Sequence, residues 1–117
     1  MARLTASQRE GFEALRSEFL THVPVRIAAI QRAAAEVQHE PASRDRVEDL
    51  LDLAHRLVGA AAIFGQPRLS AAARALEELA TRMRSGAAHA GELAALTAAL
   101  EATWSESAPP GPRRPTR

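Results

Sequence analysis

Apolar positions recur at three- and four-residue steps along most of the chain, the period of helices with one buried face. Phe12, Leu15, Phe19 and Val23 share such a face, which predicts a helix from Thr5 to about His22. Ser7 and Glu10 have the spacing of a capping box near its start. Pro24 then interrupts. Proline suits the first turn of a new helix better than a helix interior. A second helix is therefore expected from Pro24 to Val37 or Gln38, with Ile27, Ile30, Ala34 and Val37 as its stripe. Pro24 is either a kink or a true boundary, and the pattern leaves both open.

His39 to Ser43 reads as a loop, with Ser43 as N-cap of a third helix. That helix carries Val47, Leu50, Leu53, Ala54, Leu57, Val58, Ala61 and Phe64. Its acids, Asp45, Glu48, Asp49 and Asp52, lie in the N-terminal half, as the helix dipole favours. Gly65 is a natural C-cap, and Pro67 opens a fourth helix. The fourth stripe is Leu69, Ala72, Ala73, Leu76, Leu79, Ala80 and Met83, and Ser85-Gly86 closes it. A fifth helix is expected from about Ala88 to Trp104, with Leu93, Leu96, Leu100 and Trp104 in register. Short connections favour antiparallel neighbours. The expectation is an all-α, antiparallel up-and-down four-helix bundle with an additional N-terminal helix, spanning residues 1–104. Residues 105–117 are rich in Pro, Ser and Arg and are expected to form a disordered tail.

Composition adds constraints. Of 117 residues, 46% are hydrophobic but only 3% aromatic, so the core must be built from Leu, Ala and Val. There is no Cys, which removes disulfides, thiolate zinc sites and cysteine nucleophiles. The net charge is +1, with much of the basic excess in the last residues, so nucleic-acid binding is not expected. No run of about 18 apolar residues suggests a membrane span. The N-terminus lacks the apolar segment of a signal peptide. A cytoplasmic protein is expected. No Gly-rich phosphate loop is present, so neither a nucleotide site nor an autonomous kinase is expected.

The candidate chemistry centres on His55. With the third helix drawn at about 100° per residue, Leu50, Leu53, Ala54, Leu57, Val58, Ala61 and Phe64 fill one apolar arc. His55 falls just outside it, beside Glu48, Asp52, Gly59 and Ala62. The ring should stand at the rim of the bundle, reachable from solvent. Gly59 and Ala62 keep the surface low beside it. A mid-helix glycine costs about 1 kcal/mol relative to alanine, so Gly59 implies tight packing or close approach of a partner. A neutral imidazole, ordinarily titrating near 6.5, is a good nucleophile around neutrality. It can attack an acyl phosphate to give a phosphoramidate. His22, His39 and His89 lie on different elements without metal-ligand spacing, so no metal site is expected.

His55-Arg56-Leu57-Val58-Gly59, followed by Gly65, Leu69 and Leu76-Glu77, resembles the signature of histidine-containing phosphotransfer (HPt) domains. These helical bundles shuttle phosphoryl groups between receiver domains and histidine kinases. The family pattern is His, any residue, Leu, Lys, Gly, then a second Gly six residues on. The Phe19-Leu20, Pro24, Ile27 and Ile30 segment is similar to the family's usual entry into the bundle. The resemblance implies that His55 is the phosphoryl acceptor and that Gly59 permits receiver docking. Val58 departs from the pattern, standing where the family usually has a lysine that neutralises charge near the phosphohistidine. Arg56 and Arg68 are the candidates to compensate, although Arg56 projects away from His55 on the wheel.

The function expected is that of a monomeric, stoichiometric phosphocarrier rather than an enzyme. His55 would exchange a phosphoryl group with a response regulator receiver domain or a histidine kinase. The docking surface would comprise Asp52, Arg56, Gly59, Ala62 and Arg68. Asp52 would be a solvated helix-face acid or a hydrogen-bond partner of His55. No cofactor of its own is expected, with Mg²⁺ on the partner receiver domain. Val58 sustains an alternative, a non-catalytic HPt-like adaptor that binds a kinase or receiver without relaying phosphate. An unrelated interaction bundle is a more distant one.

Overall fold

The computed structural model describes residues 4–107. Four α-helices account for most of them: α1 Ala6–His39, α2 Arg44–Ile63, α3 Pro67–Arg84 and α4 Leu93–Ser107. A short 3₁₀ turn, Ala90–Glu92, leads into α4. No strand occurs among the described residues. No helix there is long and apolar enough to cross a membrane.

The first two expected helices are one. α1 runs unbroken through Pro24, which faces solvent. An interior proline costs about 3 kcal/mol. Each large apolar side chain buried contributes about 1.5–3 kcal/mol. Phe19, Val23, Ile27 and Ile30 are all buried on one face. Only a continuous helix keeps the pair before Pro24 and the pair after it on that face. The additional N-terminal helix is therefore the first half of α1. Its cap is a capping box two residues earlier than Ser7 and Glu10 suggested. Thr5 Oγ1 accepts from the Gln8 amide at 3.0 Å, and the Thr5 amide donates to Gln8 Oε1 at 2.8 Å.

At about 1.5 Å per residue, the 34-residue α1 is about 51 Å long and the 20-residue α2 about 30 Å. The excess overhangs at the N-terminal end, and Leu15, about 60° around the helix from the face that Phe12 and Phe19 share, is exposed there. Phe12 and Phe19 both pack on Phe64, with ring centroids 5.5 and 5.1 Å away. They anchor the root of the overhang on the C-cap of α2.

Ser43 caps α2 as expected, its Oγ accepting from the Arg46 amide at 3.4 Å. Gly65 (φ 72°) and Gly86 (φ 79°) end α2 and α3 in left-handed geometry. At each, the following amide bonds back across the last turn: Gln66 N to Ala61 O at 2.8 Å, and Ala87 N to Arg82 O at 2.7 Å. α4 continues past Trp104 to Ser107, because nothing in Ser105-Glu106-Ser107 breaks a helix and Glu106 pairs with Arg68 on α3. The rest of the expected tail, residues 108–117, lies outside the described residues.

Polar bridges fix the topology. Between α2 and α3, Glu48 meets Arg84, His55 meets Glu77, and the Val58 carbonyl meets Ser70. Advancing along α2 means retreating along α3, so the two are antiparallel. Arg68 of α3 meets Glu106 of α4, and Arg82 meets Glu92 in the 3₁₀ turn that leads into α4, so α3 and α4 are again antiparallel. Glu36 of α1 meets Arg46 of α2, and Phe12 meets Phe64 at the other end. The result is an up-and-down four-helix bundle. Its core is aliphatic, with Leu50, Leu57, Leu69, Leu76, Leu79, Leu93 and Leu100 wholly or almost wholly buried.

Candidate functional site

α2 offers one side of the site. Its apolar arc turns Ala54, Leu57, Val58 and Ala61 into the core, which leaves His55 on the rim beside α3. The His55 side chain is 73% exposed. α3 offers the other side. Leu69, Ala73, Leu76 and Ala80 are its buried face, and Ser70, Glu77 and Arg84 recur every seven residues along the edge facing α2. On α2 the matching row is Glu48, His55 and Ala62, also seven apart. The two rows meet along a shallow hollow of about 360 Å³ lined by Glu48, Leu51, Asp52, His55, Glu77, Thr81 and Arg84.

The central contact is between His55 Nδ1 and the Glu77 carboxylate. Glu77 is only 21% exposed, so it is the better fixed of the two. An ionised carboxylate can only accept, so Nδ1 carries the proton and donates it. With Nδ1 as the donor, Nε2 is the ring nitrogen left without a hydrogen-bond partner among the described residues. Glu77 was legible only as part of the resemblance and was absent from the expected site residues. The signal that finds it is the seven-residue polar row on an otherwise apolar flank of α3.

The expected docking residues divide. Asp52 does not bond His55; it takes the Arg56 guanidinium at 3.0 Å, one turn along the same exposed helix face. Gly59 and Ala62 are exposed next to His55, as the wheel requires. A Cβ added at Gly59 would meet nothing within 4 Å. Helix packing within the bundle therefore gives no reason for the glycine. Beyond it Ile63 is an exposed large apolar side chain. Arg68 is not on this face. Nine residues separate it from Glu77, half a turn of phase at about 100° per residue, and its guanidinium pairs with Glu106 on α4 at 2.8 Å. It cannot serve as a compensating cation for His55 from there. Val58 is 7% exposed and packs inward, with its carbonyl accepting from Ser70 Oγ at 2.9 Å.

Among the described residues no group of three or more His, Cys, Asp or Glu side chains is arranged to hold a metal ion. His22 and His39 share α1, because that helix is continuous, but they lie seventeen residues apart and both are exposed, as is His89 before the 3₁₀ turn; the His22 ring bonds the Glu18 carbonyl of its own helix. Chemically the site offers one anchored, solvent-facing imidazole on a surface kept low on one side. A family model described as the Hpt domain matches residues 14–106. Searches of curated proteins and of solved structures returned no match.

Proposed function

The chain belongs to the Hpt domain family, and we propose that it is a stoichiometric phosphocarrier of a two-component phosphorelay, with His55 as the phosphoryl acceptor. Hpt domains carry phosphoryl groups between receiver domains and histidine kinases rather than catalyse turnover. The observation that supports this reading best is a ring anchored at Nδ1 by Glu77 while its side chain remains 73% exposed.

In the proposed step, Nε2 attacks the phosphorus of an aspartyl phosphate on a receiver. The N–P bond forms as the acyl P–O bond breaks, and its electron pair leaves on the aspartate carboxylate. The ring keeps its Nδ1 proton and gains positive charge. The Glu77 carboxylate offsets that charge and holds the ring in the attacking orientation, the role an orienting acid plays beside any nucleophilic or basic histidine. Transfer to a second receiver is the reverse of this step. Phosphoryl transfer depends chiefly on positioning and charge stabilisation, and the divalent cation would be the receiver's. The docking face would be His55 with Asp52, Arg56, Gly59 and Ala62. The reading places the protein in the cytoplasm with its receivers, acting as a monomer.

The test is incubation with a phosphorylated receiver and Mg²⁺, alongside a His55→Ala variant. Acid-labile phosphate on the wild type alone is the expected result. Receiver binding without label would instead indicate an adaptor, a reading that Val58 favours because α2 offers no cation there.

A further inference from the structure

We propose that Arg74 is the cation that binds the phosphoryl group on His55; this rests on the reading of His55 as the acceptor. A phosphoryl group at Nε2 brings roughly two negative charges at neutral pH. It would stand close to the Glu77 carboxylate, so like-charge repulsion must be offset nearby. Three arginines lie along the exposed edge of α2 and α3. Arg56 is held by Asp52 at 3.0 Å and points about 100° around the helix from His55. Arg84 lines the His55 hollow but already faces Glu48 at 3.5 Å. Arg74 is exposed and forms no ion pair with any described residue.

Its placement is suited to the task. Arg74 lies almost one turn before Glu77, on the solvent side of the Ser70–Glu77–Arg84 row. It lines one surface hollow together with Glu77, Glu78, Thr81 and Arg82, of which Arg82 is paired with Glu92 at 3.7 Å. It also lines the adjoining hollow with Ala62 and Ser70. Ala62 is the α2 residue two turns beyond His55 on the same row, so Arg74 borders the rows on the Ala62 side of the ring, outside the hollow that His55 itself lines. The antiparallel pairing sets Arg74 level with Val58, whose own side chain is turned into the core. The positive charge missing from α2 at that level is thus available from α3. A guanidinium is planar, permanently charged and able to donate two parallel hydrogen bonds to phosphoryl oxygens.

Phosphoramidate supplies a test without a partner protein. Nε2 forms an N–P bond as the donor's P–N bond breaks, and ammonia leaves after taking a proton from solvent. The wild type, Arg74→Ala, Arg74→Lys and Arg84→Ala would be labelled this way, with His55→Ala alongside to identify the His55 signal apart from those of the exposed His22, His39 and His89. The phosphoryl pKa of each would then be read by ³¹P NMR titration. A neighbouring cation favours the dianion, so Arg74→Ala should raise that pKa by about half a unit or more, with Arg74→Lys recovering most of it. Label with an unchanged pKa in Arg74→Ala would overturn the assignment. An equal rise in Arg84→Ala would overturn it too, since the effect would be a diffuse field. Absence from the wild type of any signal that His55→Ala lacks would remove the acceptor reading itself and this inference with it.

Discussion

Ser70 Oγ donates to the Val58 carbonyl at 2.9 Å, tying the first turn of α3 to the backbone of α2. Ser70 and Glu77 lie two turns apart on one edge of α3, so this bond fixes the rotation that aims Glu77 at His55. In Ser70→Ala the Val58 carbonyl keeps its partner in the helix ladder, so no buried group is orphaned. The expected loss is therefore modest, about 0.5–1.5 kcal/mol. Urea denaturation with an unchanged m-value would measure it. A loss of several kcal/mol would mean the serine does more than brace two helices.

Glu77 separates charge from geometry. Glu77→Gln keeps an oxygen that can accept from Nδ1 but removes the negative charge; Glu77→Ala removes both. Transfer from a phosphorylated receiver should slow by about tenfold in the glutamine variant and further in the alanine variant, since losing a ring's orienting partner is costly. Rapid-quench kinetics would show the order. Equal rates in all three proteins would exclude a role for Glu77 in the step.

Gly59 should trade stability against docking. Its α2 neighbourhood is empty within 4 Å of an added Cβ, so Gly59→Ala should stabilise the fold by about 0.5–1 kcal/mol. The same methyl group would stand where a receiver must approach. Thermal denaturation should show a higher midpoint, while the rate of transfer from the receiver falls and labelling by phosphoramidate stays the same. Unchanged receiver transfer would show that the partner does not come close there.

Pro24→Ala returns an amide to the Leu20 carbonyl and removes the ring from the middle of α1. A gain of about 1–3 kcal/mol is expected, read as a higher denaturation midpoint. A loss would mean that a bend at Pro24 is needed for α1 to follow the bundle.

The fold was legible wherever period and punctuation agreed. Ser43, Gly65 and Pro67 bracket α2 and α3, and their stripes fill the core. Pro24 left the boundary open, because the proline's cost is local and legible whereas the burial of the four flanking core residues that outweighs it depends on the other helices. His55 at the rim and Gly59 beside it followed from the wheel alone. Glu77 and Arg68 did not, since which face of α3 meets α2 is set by antiparallel register, a long-range property. Once that register is known, Glu77 turns to His55 and Arg68 turns to α4. The same register explains why Asp52 is left to pair along its own helix with Arg56.

The overhang of α1 has a consequence for motion. From Ala6 to Glu18 no residue is buried, and burial begins at Phe19. Pro24 removes one rung of the ladder just inside that border. The helix thus holds two regions of unequal opening free energy, and local opening follows buried apolar contact. Backbone amides before Phe19 should exchange with deuterium long before those from Val23 to Val37, so that α1 frays at its Phe12 end while the segment packed in the bundle stays shut.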